Sequence, residues 1–201
     1  MDRQTIYWYE EFATNYIARN DSFEAFRGLE QDLLKFVGRL RDGAVVVDLG
    51  SGSGRDARLI SAAGHTVIAV DRSRPLLERC LVSASPEHRI IGVNADLVAL
   101  PFAPGSIDGI WACGSLLHLP HSEIPDVLAR CYEMLRPGGP MGLSMKEGSG
   151  SERRSDGRLF TYTNKAELCG WLSQIGYCRI TIDGPSRNQW LLAVAVKPEA
   201  G

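Results

Sequence analysis

One short segment of the sequence combines residue types that suit the close binding of a small ligand. Residues 45–47 are an apolar run, followed by Asp48 and then by three alternating glycines, Gly50, Gly52 and Gly54. Glycine permits a positive φ and lets another group approach the backbone, because no Cβ stands in the way. A turn of this kind after a strand therefore predicts a ligand at very short range.

The same glycines admit three interpretations. Residues 52–57 fit the pattern G-x-G-x-x-A, which predicts a nicotinamide or flavin site. Asp48 argues against that site, because its carboxylate would repel a pyrophosphate, and it favours a ligand that carries an ammonium group. A purely structural glycine corner is the third interpretation.

Two further acids follow apolar runs at similar intervals. Asp71 ends the run 66–70, and Asp96 comes soon after the run 89–94. A carboxylate can accept hydrogen bonds from both hydroxyls of a ribose, which suits Asp71. Asp71 could also be a helix cap and Asp96 a turn residue. The spacing of Asp48, Asp71 and Asp96, about one strand-helix unit each, is more specific than any one of them.

The surrounding elements alternate between strand and helix. Apolar periodicity predicts helices from Gln4 to Asn20 and from Ser22, as the cap, to Leu40. We then predict strands at 45–48, 66–70, 89–94, 107–113 and 141–145, and helices at 55–63, 75–82, 122–135 and 165–174. Runs at 179–182 and 190–196 are joined by residues 183–188, which are too few for a helical crossover, so they predict an antiparallel hairpin.

This pattern predicts an α/β fold with a doubly wound, mostly parallel, seven-stranded sheet, two N-terminal helices and a C-terminal antiparallel hairpin. We expect a single domain over residues 1–201. Residues 1–42 would form a helical cap, 43–146 the ligand-binding core, and 147–201 the loop, helix and hairpin on the substrate side. Residues 148–157, rich in glycine, serine and charge, are expected to form a mobile loop.

Composition narrows the class of partner. The chain has 201 residues, 44% of them hydrophobic, and a formal net charge of -2. This charge gives no general attraction to nucleic acid or anionic lipid, so nucleic acid is not an expected partner. The sequence has no signal-peptide pattern and no membrane-spanning run, which predicts a cytoplasmic protein. Its five cysteines lack C-x-x-C spacing, so neither disulfides nor a zinc cluster is expected, and the oligomeric state is left open.

The segment from Asp48 to Gly54 resembles the first motif of the class I S-adenosylmethionine-dependent methyltransferases. The resemblance implies that the glycine loop passes beneath the methionine and ribose of the cofactor and that Asp71 accepts from both ribose hydroxyls. Asp96 would accept from the adenine amine, with the backbone of Leu97 at the ring. The resemblance extends from about Tyr9 to Lys197, and it departs mildly at Ser51, where many relatives have cysteine.

The implied cofactor is S-adenosylmethionine, with S-adenosylhomocysteine as product and a small molecule with an O, N or S nucleophile as the acceptor. The same pocket could instead support aminocarboxypropyl transfer or cyclisation, releasing methylthioadenosine, or binding without turnover. The predicted cofactor-binding residues are Asp48, Gly50, Ser51, Gly52, Gly54, Arg55, Asp71, Arg72, Asp96, Leu97 and Cys113.

The acceptor side carries the candidate catalytic groups, His118 and Tyr9. An acceptor of high pKa benefits from a base, and His118 follows the predicted fourth strand, although a packed histidine is the alternative. His118 and His121 lack further ligands nearby, so no metal is expected. Tyr9 and Tyr16 share a helix face, which suits either a core stripe or the helix that closes over the site in similar methyltransferases.

A substrate-side segment completes the predictions. Residues 146–162 resemble a pattern, K-x-G followed by D-G-R-x-F-x-x-Y, found in a bacterial subgroup, although here one residue instead of two separates Phe160 from Tyr162. Its Arg158 could bind a carboxylate or a phosphate. The predicted substrate-binding residues are Tyr16, His118, Arg158 and Tyr162.

Overall fold

The computed structural model describes residues 2–82, 89–185 and 189–201, and three helices precede its first strand. They are α1 (Arg3–Glu11), α2 (Ala13–Asn20) and α3 (Leu29–Val37). The single helix predicted over 4–20 is interrupted at Phe12, where φ is -102° and ψ is 21°. The helix predicted from Ser22 begins only at Leu29, because Gly28 has a φ of 94°, which a right-handed helix cannot include.

The later elements alternate as predicted. The helices are α4 (Arg55–Ala62), α5 (Arg74–Leu81), α6 (Ile124–Met134) and α7 (Lys165–Ile175). The strands are β1 (Val45–Leu49), β2 (Thr66–Asp71), β3 (Ile90–Asn94), β4 (Gly109–Cys113), β5 (Pro140–Glu147), β6 (Ser151–Arg153), β7 (Leu159–Thr163), β8 (Cys178–Asp183) and β9 (Trp190–Val196). Among the described residues, no helix is both long and apolar enough to cross a membrane.

The sheet confirms the predicted fold class. Strands β3, β2, β1, β4 and β5 lie side by side in parallel, and β9 pairs antiparallel with β5. Strands β8 and β9 form the predicted antiparallel hairpin. Residues 186–188, which belong to the connection between them, lie outside the described part of the chain. The reversal of strand order at β1 and β4 leaves a crevice at the carboxyl ends of these strands.

The number of strands differs from the seven predicted, since the described part of the chain contains nine. The additional pair is the β6–β7 hairpin, of which β6 lies within residues 148–157, the segment expected to be a mobile loop. Strand β7 follows that segment and runs in parallel beside the last residues of β5. Residues 159–163, Leu-Phe-Thr-Tyr-Thr, are aromatic and β-branched types that favour a strand. This hairpin extends the wall at the carboxyl end of β5.

Both faces of the sheet are covered by apolar packing. Val46 belongs to a buried cluster with residues of α3, α4 and α5, whereas its neighbour Val47 belongs to a cluster with residues of α6 and α7. Successive side chains of a strand point to opposite faces, so the unbroken apolar run of β1 follows from burial on both sides. The core thus fixes the end of β1, from which the glycine loop departs.

Candidate active site

A cavity lies where β1, β2 and β4 end, and α1 and α2 cover it. Its lining comes from the glycine loop, from the ends of β2 and β4 and from the covering helices. The lining residues are Ile6, Tyr9, Tyr16, Gly50, Gly52, Asp71, Arg72, Ser73, Leu76, Cys113, Gly114, Ser115 and His118.

The glycine loop turns sharply at the end of β1 and exposes its backbone to the cavity. The amides of Gly50 and Ser51 donate to the Val70 carbonyl at 2.8 and 3.0 Å, which ties the loop to β2. A Cβ at Gly50 would clash with the Ser115 side chain, whereas one at Gly52, where φ is 55°, would lie 3.4 Å from the Tyr16 ring. Gly50 is therefore needed for packing, and Gly52 leaves room at the cavity itself.

Asp71 ends β2 with its carboxylate held by two backbone donors. Gly52 N donates to Oδ2 and Ser73 N donates to Oδ1, each at 2.8 Å. Burial raises the pKa of Asp71 to about 6, although these amide hydrogen bonds act in the opposite direction. A carboxylate oxygen accepts more than one hydrogen bond, so Asp71 can still receive donors from a ligand.

Charged residues are packed beneath the loop. Asp48 is only 2% exposed, and burial, reinforced by the charge of Asp56, raises its pKa well above the ordinary value. Arg55 donates to Asp56 at 2.7 and 3.1 Å, and its guanidinium lies over the rings of Phe23 and Phe26. Arg55 thus holds the segment before α3 against α4.

Tyr9 and His118 form a hydrogen-bonded pair inside the cavity. His118 Nδ1 lies 2.7 Å from the Leu159 carbonyl, which can only accept, so Nδ1 carries the hydrogen. Burial lowers the pKa of His118 to about 4, so the ring is neutral near pH 7 and Nε2 has a lone pair. Tyr9 Oη is 2.8 Å from Nε2, so its hydroxyl donates to His118.

Arg158 lies next to Tyr9 of this pair. Its Nη1 is 3.4 Å from Tyr9 Oη, and its guanidinium carbon is 3.8 Å from the centre of the Trp8 ring. Both Nε and Nη2 donate to Asp156 Oδ2, at 3.0 and 2.7 Å. The charge of Arg158 is therefore already matched by a carboxylate.

The covering helices are attached at both ends. Near the start of α1, Arg153 donates to both oxygens of Asp2 at 3.0 Å, and the Thr5 hydroxyl accepts from Leu159 N at 2.9 Å. These contacts join α1 to the β6–β7 hairpin. Beyond α2, the Asp21 carboxylate accepts from two side chains of the sheet-packed helices, Arg58 and Arg79.

The structure brings half of the sixteen predicted site residues to one cavity. Those that line it are Tyr9, Tyr16, Gly50, Gly52, Asp71, Arg72, Cys113 and His118. Asp48 and Ser51 are buried below the loop, and Gly54 begins α4 beside Cys80.

Four predicted residues lie elsewhere. Arg55 Nη2 approaches the cavity only through Cys113, with 3.8 Å to its sulfur. Asp96 accepts from Val98 N at 3.2 Å, and Leu97 is buried in the core. Tyr162 donates to Glu152 and accepts from Arg154 on the hairpin, so its hydroxyl is not among the groups that line the cavity.

Sequence reasoning missed several lining residues. Gly114 and Ser115 directly follow β4, a position from which they could have been inferred, because the carboxyl ends of parallel strands meet at one edge. Ile6, Ser73 and Leu76 come from α1 and the start of α5, whose approach to each other is set by tertiary packing. Ser73 Oγ donates to the Tyr9 carbonyl at 3.1 Å and so joins the two helices.

The sequence was compared with protein families and with known proteins, and both comparisons found methyltransferases. Residues 46–139 match the family model described as "Methyltransferase domain". A 27-O-demethylrifamycin SV methyltransferase from Amycolatopsis mediterranei is 30% identical over 141 residues, which are 68% of this chain and 48% of that protein. The chain thus spans about half the length of this curated relative.

Solved structures share the fold. DhpI in complex with S-adenosylhomocysteine superposes with a TM-score of 0.76 at 20% identity, covering 98% of this chain and 97% of that one. The 1,6-didemethyltoxoflavin-N1-methyltransferase of Burkholderia thailandensis, with 1,6-didemethyltoxoflavin and S-adenosylhomocysteine bound, gives 0.69 at 23% identity, covering 94% and 88%. Together, the family match over residues 46–139, the curated relative and the shared fold support the assignment of the chain to the class I S-adenosylmethionine-dependent methyltransferases.

Proposed function

We propose that the chain transfers the methyl group of S-adenosylmethionine to a small-molecule nucleophile. The observation that carries the proposal is the pairing of Gly52 with Asp71 at the cavity wall, 2.8 Å from amide to carboxylate. It places an open stretch of backbone beside an acid that can accept from a ribose diol.

The residues around the cavity fit this cofactor. Within the described part of the chain, Asp48 Oδ2 and the hydroxyls of Ser51 and Ser115 are buried without a hydrogen-bond partner. Buried polar atoms are seldom left unpaired, so such atoms near a cavity are expected to find partners in a ligand. Of these atoms, the Ser115 hydroxyl belongs to a residue that lines the cavity, whereas Asp48 and Ser51 lie beneath the glycine loop. We therefore assign the predicted cofactor-binding residues to the loop, to Asp71 and Arg72, and to Cys113, with Asp96 and Leu97 on the adenine side.

The chain's own residues would act mainly by positioning and by removing protons. A bound S-adenosylmethionine would supply a methyl group on its sulfonium, and this methyl group would pass to the acceptor by in-line displacement. Gly52 and Asp71 fix the cofactor, and α1 and α2 exclude water from the cavity. Tyr9 and His118, our proposed catalytic residues, accept the proton that the acceptor loses.

The names of similar proteins support a small acceptor. The curated relative is named for a rifamycin derivative, and one solved structure contains 1,6-didemethyltoxoflavin. Both are named as methyltransferases, so we propose methyl transfer ahead of aminocarboxypropyl chemistry. Tyr16 and His118 face the cavity where such an acceptor would enter, whereas Arg158 and Tyr162 would contribute from the hairpin behind it.

Isothermal titration calorimetry tests the cofactor assignment. S-adenosylhomocysteine should bind the wild-type protein, and NADPH should not. Asp71→Asn should weaken binding by about 1 to 3 kcal/mol, the range for a hydrogen bond to a charged group. The control, Asp42→Asn, removes an exposed carboxylate elsewhere and should leave affinity unchanged. Binding of NADPH in place of S-adenosylhomocysteine would overturn the proposal.

A further inference from the structure

The proton arrangement at Tyr9 restricts what the acceptor can be. Because the Leu159 carbonyl fixes the hydrogen of His118 on Nδ1, the Tyr9 proton is committed to His118 Nε2. Arg158 Nη1 donates to Tyr9 Oη at 3.4 Å, so the remaining lone pair of this oxygen is the part of the pair that an incoming donor can reach. Tyr9 thus presents a hydrogen-bond acceptor at the cavity, with a neutral base directly behind it.

The charges around the cavity restrict the acceptor further. Among the described residues that line the cavity, Asp71 and Arg72 carry charge, and both lie at the end of β2, on the proposed ribose side. The other residues that line the cavity carry no charge, and Tyr9 and His118 define its proposed acceptor end. Arg158, the cation beside Tyr9, is paired with Asp156, and Lys146 lies over the Trp190 ring at 4.5 Å. Burying an anion or an ammonium at this end would cost desolvation without a matching charge on the cavity wall.

The presence of a base favours a neutral hydroxyl over a neutral amine as the acceptor. A neutral amine attacks with its own lone pair and can lose its proton to water afterwards. A hydroxyl is a weak nucleophile until its O–H bond is weakened, so it gains most from a base at the moment of attack.

We propose that the acceptor is a neutral, hydroxyl-bearing molecule and that its hydroxyl donates to Tyr9 Oη during transfer. This inference rests on the proposed methyl transfer and specifies its substrate class.

The step balances as a relay of two protons. The acceptor oxygen forms a bond to the methyl carbon, and the electrons of the broken carbon–sulfur bond remain on sulfur. The proton of the acceptor passes to Tyr9 Oη while the Tyr9 proton passes to His118 Nε2. The products are a methyl ether, S-adenosylhomocysteine and a protonated His118, which returns its proton to solvent as the site opens.

Four small aromatic probes test the inference on protein loaded with S-adenosylhomocysteine. Phenol carries a neutral hydroxyl, anisole replaces that hydroxyl with a methyl ether, benzoate is an anion and benzylammonium is a cation. Ligand-observed NMR gives the affinity of each. We expect phenol to bind about fivefold more tightly than anisole, which corresponds to one hydrogen bond, and benzoate and benzylammonium to bind no better than anisole.

Variants assign this preference to Tyr9. In Tyr9→Phe the phenol preference over anisole should fall below twofold, because the ring remains while the oxygen is lost. Tyr7→Phe, on the same helix at a side chain 64% exposed, should keep the wild-type preference. The inference is overturned if either charged probe equals phenol, if phenol and anisole bind alike, if no probe binds, or if the preference survives Tyr9→Phe. Failure of S-adenosylhomocysteine itself to bind, measured first, would instead overturn the proposed function.

Discussion

Asp71 is the ionisable residue through which pH should act on cofactor binding. Burial raises its pKa to about 6, so its carboxylate becomes protonated as pH falls through that value and then accepts fewer hydrogen bonds. We predict that the dissociation constant for S-adenosylhomocysteine rises about tenfold between pH 7.5 and pH 5, as calorimetry would measure. Asp71→Asn should bind weakly at both values, and an unchanged pH dependence in this variant would remove the assignment.

His118 makes a separate contribution to the pH dependence of stability. Burial lowers its pKa to about 4, below the ordinary value of 6.5, so the unfolded chain binds the proton more readily. The folded state therefore loses stability as pH falls from 6.5 towards 4. Between pH 7 and pH 5 the His118 contribution should be about 2 kcal/mol. The raised pKa of Asp71 acts in the opposite direction in both proteins, so the wild type should lose about 2 kcal/mol more over this interval than His118→Gln.

Urea unfolding at the two pH values measures this difference. The control is His121→Gln, which removes an exposed histidine from the same loop. It should retain the wild-type loss of stability. Equal losses in the wild type and His118→Gln would show that His118 is not held neutral by burial.

At the scale of the elements, two glycine variants can distinguish the loss of space for a ligand from backbone strain at positive φ. Gly52 and Gly43 have φ values of 55° and 62°, and a Cβ at Gly43 would meet nothing within 4 Å. Gly52→Ala and Gly43→Ala should each cost about 1 kcal/mol of folding stability, because alanine is strained at positive φ. Only Gly52→Ala should also weaken S-adenosylhomocysteine binding, by tenfold or more. Calorimetry and urea unfolding on both variants test this, and equal affinities would place the ligand away from Gly52.

The attachment of α1 to the β6–β7 hairpin should control how often the cap opens. Arg153 joins the hairpin to Asp2, whereas the side chain of its neighbour Arg154 contacts Glu152, Phe160 and Tyr162 within the hairpin. Arg153→Gln should speed amide hydrogen exchange in α1 only modestly, up to about fivefold, since an exposed ion pair contributes little to stability. Arg154→Gln should leave α1 unchanged, and equal exchange in both variants would mean that the ion pair does not hold the cap.

At the scale of the whole molecule, the sequence predicted the sheet well, because its signals are local. The β-branched runs that became β1, β2 and β9 lie within a residue or so of the predicted bounds. The errors in the N-terminal helices arose where one residue outweighed a periodic pattern. Phe12 interrupts the first predicted helix, which the structure divides into α1 and α2. Because Gly28 has a positive φ, α3 begins only at Leu29.

For the candidate site, the sequence predicted which strand ends carry its residues but not the contacts between distant side chains. Glycines and acids at strand ends mark a ligand cavity from sequence alone, and Gly52 and Asp71 do lie together in it. The hydrogen bond from Tyr9 to His118 joins residues 109 positions apart, so no local pattern could reveal it. The role of Leu159 in fixing the His118 tautomer depends on the β6–β7 hairpin, which the sequence analysis did not predict.

Methyl transfer itself is tested most directly by mass spectrometry after incubation with S-adenosylmethionine labelled in its methyl group, with and without a bacterial metabolite extract. We predict S-adenosylhomocysteine that depends on the extract, together with one labelled product in equal amount. Methylthioadenosine formed without extract would contradict the account, because the carbon–sulfur bond to the aminocarboxypropyl group would then be the one that breaks.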